Sequence, residues 1–423
     1  MNLAVIIALS VFIVTYLFII TEKVHRTIIS ITGAVLMVML GILNQKEAID
    51  GIDFNTIGLL VGMMIVVGIA RQSGFFQAMA LYVAKFCKGK PIGIFIFLSF
   101  IVAIFSAFLN NVTVVLLMVP VTFVITNNLK VSPYPYLVGI ILFSNFGGAA
   151  TLIGDPPNTL IGSAANLTFN DFVYNLAPVV FLVCIVAAGL LIFLYRKELK
   201  TTDEDRAKVM RFNPKEAISD WPLLYKSLFV IGLIIIGFMT YDYTGIEAAT
   251  MAMGGAALLL LLTVHDPEVH LKEIEWITIF FFIGLFILVS GIEHVGVIEL
   301  MAQKLIVATG GNIKLTTLIV LWGSAVLSAV VDNVPFVATM IPLIKEIGVI
   351  TGANITVLWW VLALGADIGG NATLVGASAN LVVKGIAEKE GECIRFGKYM
   401  KVALPMTIVS LLICTAYVFV RYF

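Results

Sequence analysis

The feature that most constrains this chain is a succession of apolar runs of about 17 to 20 residues, the helix length that spans ~30 Å of hydrocarbon. Leu3 to Ile20 is the first of them. The 423 residues are 60% hydrophobic and only 12% charged, whereas a soluble domain carries about 25% charged residues. A soluble fold of this size has too much surface to cover with so few charges. A soluble enzyme, a nucleic-acid binder, a secreted disulfide scaffold and a disordered chain are thereby excluded. The first run lacks a basic start and a small-residue cleavage site, so it reads as a retained helix and not a signal peptide. Cys87, Cys184, Cys393 and Cys414 form no CxxC pair and suit small apolar filler.

The chain is two copies of one unit. Residues 106–120 read SAFLNNVTVVLLMVP and residues 328–342 read SAVVDNVPFVATMIP, so a shift of 222 aligns them without a gap, with 7 identities in 15. The same shift places GGAATLIGDPPNTL (147–160) on GGNATLVGASANLV (369–382), with 7 identities in 14. It also places Gly33 on Gly255, Gly62 on Gly284 and Gly74 on Gly296. One offset held through separate segments is the mark of an internal duplication.

The first unit, 1–195, has spans near 3–20, 27–43 and 54–70, an amphipathic stretch over 73–88, and a run over 92–127 interrupted by Asn110-Asn111. It continues with a run over 135–166, broken by Gly-Gly and Asp-Pro-Pro, and a last span over 172–195. A polar linker, 196–224, leads to the second unit, 225–423, with spans 225–241, 247–264 and 275–292. That unit goes on with an amphipathic stretch over 294–308, a hairpin over 313–347 with Asp332-Asn333 at its tip, a broken helix over 355–387 and a span over 401–420. The expected fold is an all-α polytopic membrane protein of two repeats. Each has five transmembrane helices, one of them broken, plus a re-entrant hairpin. Five crossings are an odd number, so the repeats are inverted, the usual construction of secondary transporters.

Basic residues orient the chain. The linker holds Arg196, Lys197, Lys200, Arg206, Lys208, Arg211 and Lys215, so it is placed in the cytoplasm as a tether between the halves. Propagating the crossings puts 21 of the 26 Lys and Arg inside and leaves Lys46, Lys304, Lys314, Lys345 and Arg421 outside, with both termini outside. Trp276, Trp359 and Trp360, at span starts, are expected in the interfacial belt.

Interrupted runs are costly, because backbone groups freed from a helix in hydrocarbon need partners in protein or a wet cavity. Four runs are interrupted, at matching positions of both halves, which points to a binding site where half-helix ends converge. The side chains available there are Asn110, Asn111 and Thr113; Thr151, Asp155 and Asn158; Asp332 and Asn333; and Asn371, Thr373, Ser378 and Asn380. Gly147, Gly148, Gly154, Gly369, Gly370 and Gly376 permit unwinding and close backbone approach. Such a set offers oxygen ligands to a hard cation and amide donors to an anionic oxygen. Asp155 and Asp332 stand out, since a charge inside a membrane costs about 2.5–3.5 kcal/mol on the lenient insertion scale. Na⁺ is expected to be held by Asp155, Asp332, Asn111 and Asn333. Asp367, two residues before Gly369, is a further candidate for the same cavity. Asp53 and Glu275 are repeat partners at span ends and read as caps. His25, His265, His270 and His294 lie at span ends or in loops, away from any metal-ligand spacing. No HExxH, GxSxG or Walker loop is present, so neither an embedded enzyme nor ATP hydrolysis is indicated.

These motifs carry a resemblance. NNVTVVLLMVPV, GGAATLIGDPPN, LSAVVDNVPFVATMIP and GGNATLVGASAN are similar to the ion transporter superfamily. The similar branch holds arsenite permeases, NhaD-type sodium/proton antiporters and the melanosomal P-protein type, with the P-protein type nearest. The resemblance covers nearly the whole chain. It implies a homodimer with a static scaffold and a moving transport domain, working as an elevator, with substrate and coupling ion held by hairpin tips and broken helices. The chain departs from relatives at Asn110, where many have Asp, and lacks the Ser-Asn-Thr tips of dicarboxylate symporters.

The leading expectation is a sodium/proton antiporter in the cytoplasmic (inner) membrane, with Asp155 and Asp332 taking Na⁺ when ionised and protons otherwise. The alternative is a proton-coupled exporter of arsenite or a small organic anion; dicarboxylate uptake ranks lower, because two fixed carboxylates repel a dianion. A passive channel is the third reading. No cofactor is called for beyond the coupling ion, Na⁺ or H⁺. The partners are a small ion, the lipid bilayer and a second copy of the chain, and not nucleic acid. Gly33, Ala34, Gly254 and Gly255 are the expected small-residue dimer contacts.

Overall fold

The computed structural model describes residues 3–21, 23–263 and 267–423, and there the apolar runs are helices, with no strand among the described residues. Among the described residues, nine helices are long and apolar enough to cross a membrane, or ten if one bent pair counts as a single span. The 222-residue register holds at the level of elements: Arg26, Phe54, Phe75, Pro91, Asn111, Tyr134 and Pro156 each begin a helix, and so do Ala248, Trp276, Val297, Ile313, Asn333, Thr356 and Ser378. Pro120 and Pro342, also 222 apart, sit inside the second arms of the two hairpins. Some boundaries shift. The run 27–43 is helical only over Arg26–Met39, and 172–195 divides into Phe169–Asn175 and Ala177–Tyr195. The last span is the 27-residue helix Phe396–Tyr422.

The halves exchange contacts. Helix Arg26–Met39 packs on Trp276–His294, and its repeat partner Ala248–Thr263 packs on Phe54–Gln72. Two glycines make this possible. A Cβ on Gly62 would strike the backbone of Ala252 and Met253, and a Cβ on Gly284 would strike that of Ser30 and Ile31. The contacts map onto each other under the register, so the fold is an interlocked pair and not two bundles in series. At its centre are the first segments of the two broken helices: every residue of Tyr134–Gly148 is buried, as is every residue of Thr356–Gly369 after Thr356.

The amphipathic stretches are helices Phe75–Phe86 and Val297–Thr309, each entered through a glycine at positive φ, Gly74 at 79° and Gly296 at 77°. Only a residue without Cβ takes that conformation freely. Val297–Thr309 meets the first arm of the second hairpin, Ile313–Ser328, at 118°.

The linker is more than a tether. Its helix Asp203–Met210 packs on Asn111–Leu129 and on Phe75–Phe86, beside the loop that leads into Pro91–Phe108. Arg206 Nε donates to the Lys88 carbonyl at 3.4 Å, and Thr201 Oγ1 to the Leu129 carbonyl at 2.5 Å. Asp205 pairs with Lys208 at 2.7 Å and with Lys130 at 3.5 Å. The loop before Pro91–Phe108 and the end of Asn111–Leu129 thus meet one short stretch of linker. The arms therefore enter and leave on the same side, although each is long enough to cross. Further on, Ser219 N donates to the Ser73 carbonyl at 3.0 Å, tying the linker to the glycine hinge at Gly74.

Two expectations fail on packing. Trp359 and Trp360 are buried, Trp360 edge-on against Phe172 at 5.3 Å, so they are core and not belt; Trp276 is half exposed. Gly33 packs on Thr15 and Leu288, Ala34 is buried, and Gly255 packs on Ile234, so these serve contacts within the chain. Of the four small residues only Gly254 faces open space.

Two outcomes follow from this packing. Gly284→Leu must displace the Ser30–Ile31 backbone and is expected to destabilise by about 1–3 kcal/mol or more, whereas Gly254→Ala leaves the thermal midpoint unchanged; detergent-phase thermal unfolding separates them. The second concerns Asp205, whose carboxyl is held below the usual range first by the Lys208 hydrogen bond and then by that of Thr202. Its contribution to linker docking is present above an unfolded Asp value of about 3.9 and is lost as pH falls through the lower folded value. Proteolysis of the linker is expected to accelerate only at such acidic pH, and Asp205→Asn to accelerate it at neutral pH.

Candidate functional site

The breaks in the apolar runs come together, and most of their polar residues first serve the backbone. Asn158 Nδ2 donates to the freed carbonyls of Gly148 at 3.1 Å and Thr151 at 2.9 Å. Its repeat partner Asn380 does the same for Gly370 and Thr373, both at 2.9 Å. Thr151 Oγ1 bonds the Ala107 carbonyl, and Thr373 Oγ1 bonds that of Ala329 at 2.6 Å. Ser106 Oγ and Ser328 Oγ donate to the carbonyls of Ser144 and Ala366, each at 2.6 Å. Each hairpin is thereby bonded to the broken helix of its own half. Thr151, Thr373, Asn158 and Asn380, with Gly148 and Gly370, are joints of this frame and not lining residues of the cavity described below.

At the meeting point of the two hairpin tips lies Asp155, 2% exposed. Its Oδ2 accepts from Asn111 Nδ2 at 2.8 Å and from Asn333 Nδ2 at 3.3 Å. These asparagines are repeat partners, so one carboxylate serves both halves. Asn111 also donates to Asn145 Oδ1 at 3.1 Å, and Asn333 to Asp367 Oδ1 at 3.4 Å. Asn145 Nδ2 donates to Asn371 Oδ1 and Asn380 Oδ1, both at 2.9 Å, joining the first half to the second. Asp367 is fully buried and its Oδ2 has no partner.

A cavity of about 130 Å³ opens on this network, lined by Asn110, Asn111, Asp155, Asn333 and Ser378, and walled by Phe281 and Phe282. Four helices begin at it, Asn111–Leu129, Pro156–Ala165, Asn333–Thr351 and Ser378–Lys389. Their N-terminal N–H groups and dipoles favour negative charge there, which offsets the cost of burying Asp155. Such a cavity can hold a small ion among carboxylate and amide oxygens.

Of the four residues expected to hold Na⁺, Asp155, Asn111 and Asn333 are brought together. Asp332 is turned away to Arg26, Nη1 to Oδ2 at 2.7 Å. Thr113 lies on a separate, apolar cavity with Leu59, Met63 and Phe108. Asn371 belongs to the network behind the cavity. Asp53 caps its helix by accepting from Asn55 N and Thr56 N, but Glu275 caps nothing through its side chain and lines the cavity instead. His25 accepts from Thr27 N, and His265 lies outside the described residues. Sequence reasoning missed Asn145, although the 222-residue register places it on Asp367. It also missed Arg26, which was counted only as an orienting charge and has no signal beyond that charge.

The sequence matches the family described as "Citrate transporter" over residues 16–365. The chain belongs to this citrate transporter family. The 46 kDa membrane protein of Mycobacterium leprae is 38% identical over 99% of both chains. A Mycobacterium tuberculosis protein described as an uncharacterized transporter is 39% identical, again over 99% of both. The human P protein is 32% identical over 96% of this chain and 59% of its own length, in keeping with the P-protein resemblance of the motifs. Among solved structures, the MtrF protein of Neisseria gonorrhoeae is similar with a TM-score of 0.61 at 11% identity, over 100% of this chain and 95% of that one. The YdaH transporter of Alcanivorax borkumensis is similar with a TM-score of 0.57 at 15% identity, over 87% and 85%. Membership of the citrate transporter family makes this chain a membrane transporter and not an enzyme.

The joints can be tested apart from transport. Asn158→Ala and Asn380→Ala each strip two buried carbonyls of their donor and are expected to lower stability by about 2 kcal/mol or more. Thr113→Ala, outside the network, is expected to leave both the thermal midpoint and uptake near the parent value.

Proposed function

We propose that this chain is an ion-coupled secondary active transporter, a sodium/proton antiporter in which Asp155 takes up either ion. The observation that carries this reading is the placement of Asp155: a buried carboxylate between the tips of both hairpins, bonded by amide donors, beside a cavity of about 130 Å³. An acid with no cationic side chain bonded to it is free to exchange a proton for a metal cation. Two hairpins and two broken helices, joined by the bonds above, form one body that carries the site. Helices Leu3–Thr21, Arg26–Met39, Trp221–Met239 and Ala248–Thr263 supply no ligand but Arg26, and suit a static scaffold and homodimer contact. Motion of the first body against the second is an elevator form of alternating access, with the linker in the cytoplasm and both termini outside.

A second reading is transport of a small carboxylate anion. Arg26 in the cavity wall, four helix N-termini and the name of the family favour it. The two are separated by flux into proteoliposomes under imposed Na⁺, proton or carboxylate gradients. In the antiport reading an outward proton gradient drives ²²Na⁺ uptake, and Asp155→Asn removes at least about 90% of it while leaving a folded protein, because neutralising a buried acid relieves its desolvation cost. Uptake of labelled citrate that survives Asp155→Asn, with no ²²Na⁺ flux in the parent, would sink the antiporter reading.

A further inference from the structure

The second hairpin is tied to the scaffold by charge, and the first is not. Arg26 opens helix Arg26–Met39, whose neighbours are Leu3–Thr21 and Trp276–His294. Its Nη1 donates to Asp332 Oδ2 at 2.7 Å and to Ser378 Oγ at 2.8 Å, and Ser378 Oγ donates to Asp332 Oδ2 at 2.6 Å. The guanidinium lies 5.0 Å from the centre of the Phe281 ring. Asp332 is the tip of the second hairpin, and Ser378 begins the second segment of the second broken helix. Nearby, Tyr16 Oη donates to the Pro335 carbonyl at 2.8 Å and shares a 2.6 Å bond with Thr339 Oγ1.

The duplication supplies an internal control. Under the 222-residue register, Arg26, Asp332 and Ser378 correspond to Ala248, Asn110 and Pro156, and Tyr16, Pro335 and Thr339 to Phe238, Thr113 and Leu117. None of the equivalent scaffold side chains can form an ion pair or donate a hydrogen bond. This charged tie is therefore made by one hairpin alone, in a fold whose Asn158/Asn380, Thr151/Thr373 and Ser106/Ser328 joints are repeated in both halves.

The pair has the character of an exchangeable contact. Asp332 keeps 14% of its side chain exposed and Arg26 30%. The carboxylate is too enclosed to stand without a counter-charge. Yet the pair is monodentate, through Nη1 alone; Nε and Nη2 have no hydrogen-bond partner among the described residues, so the stronger two-pronged geometry is not used. Arg26 and Ser378 both line the cavity that holds Asp155.

We propose that Arg26 is the resident counter-ion of the second hairpin. In the empty carrier its guanidinium neutralises Asp332 and fastens the hairpin to the scaffold; the transported cation displaces it and frees the hairpin. This rests on the cation reading of the function. A ligand shifts a conformational equilibrium only through a difference in its affinity for the two states, and competition with Arg26 supplies that difference. Arg26 is a positioning residue here: it acts on the transported ion through Asp332.

The experiment uses the full-length chain with Cys393, the exposed cysteine, changed to Ser and with Val382→Cys as a reporter in the cavity wall. Two quantities are read: the rate of maleimide alkylation of the reporter in choline chloride, and the NaCl concentration that half-saturates the thermal shift, against choline chloride at equal ionic strength. Arg26→Gln is expected to raise the ligand-free alkylation rate about tenfold and to lower the half-saturating Na⁺ about tenfold, with Arg26→Lys close to the parent. Should Arg26→Gln fail to fold, because Asp332 is left uncompensated, the double variant Arg26→Gln/Asp332→Asn carries the alkylation test. Unchanged alkylation together with unchanged or weaker Na⁺ response overturns the resident counter-ion. Faster alkylation with no Na⁺ response in any variant supports the tie and overturns the sodium reading of the function, so the two failures are told apart.

Discussion

Everything in this fold depends on satisfying the carbonyls and N–H groups that are released where helices break inside an apolar interior. Water is not available there, so each break must carry its own partners. The frame answers with short side chains placed at fixed distances along the chain. An asparagine on the second segment of each broken helix reaches back to two carbonyls, and a threonine and a serine bridge to or from the hairpin of the same half. Once those demands are met, few polar groups remain free. Those few include Asp155 and Asn145, from which an ion site can be built. Structure and function thus draw on one small set of asparagines, and the division of labour between them is decided by which carbonyls lie within reach.

The interlock of the halves decides what is rigid. Gly62 and Gly284 let a helix of one half lie against a helix of the other at backbone distance, so the scaffold does not split into an N-terminal and a C-terminal bundle. The hairpins and broken helices are likewise cross-linked, through Asn145 to Asn371 and Asn380. Each of the two bodies therefore contains parts of both repeats. In the proposed elevator, motion would separate body from body and leave the duplicated units mixed, so the mechanical boundary would not be the midpoint of the chain.

Much of this fold is legible in the sequence. The repeat register located every break, because a duplicated irregularity is visible where a single one is lost in apolar noise. Re-entry of the first hairpin has its physical mark in one linker helix, where Arg206 donates to the Lys88 carbonyl before the first arm and Asp205 pairs with Lys130 after the second. Thr113, Thr151 and Asn158 share the polarity of true lining residues, and only the direction of a side chain separates a joint from a ligand. Trp359 and Trp360 sit at a span start, but the helix they open is the most enclosed of its half, so the interfacial preference of tryptophan never operates. Arg26 escaped notice because a basic residue beside a span is commonplace; what distinguishes it is an acid 306 positions away.

Asp155 has a property that no other polar group of the site shares. It accepts from Asn111 and from Asn333, which are copies of one another, so it stands where the two copies face each other. Its own counterpart under the repeat register is Ala377. A faithful duplicate would have set a second carboxylate against the first, and two like charges in so confined a space repel. With Asp at 155 and Ala at 377, no second carboxylate faces the first from the equivalent position. Fusion of the two copies into a single polypeptide is what allows it, since identical subunits of a symmetric dimer cannot differ at one position. The covalent joining of the halves therefore lets the chain place one carboxylate between the two hairpin tips, while the second buried acid, Asp367, bonds only the Asn333 side.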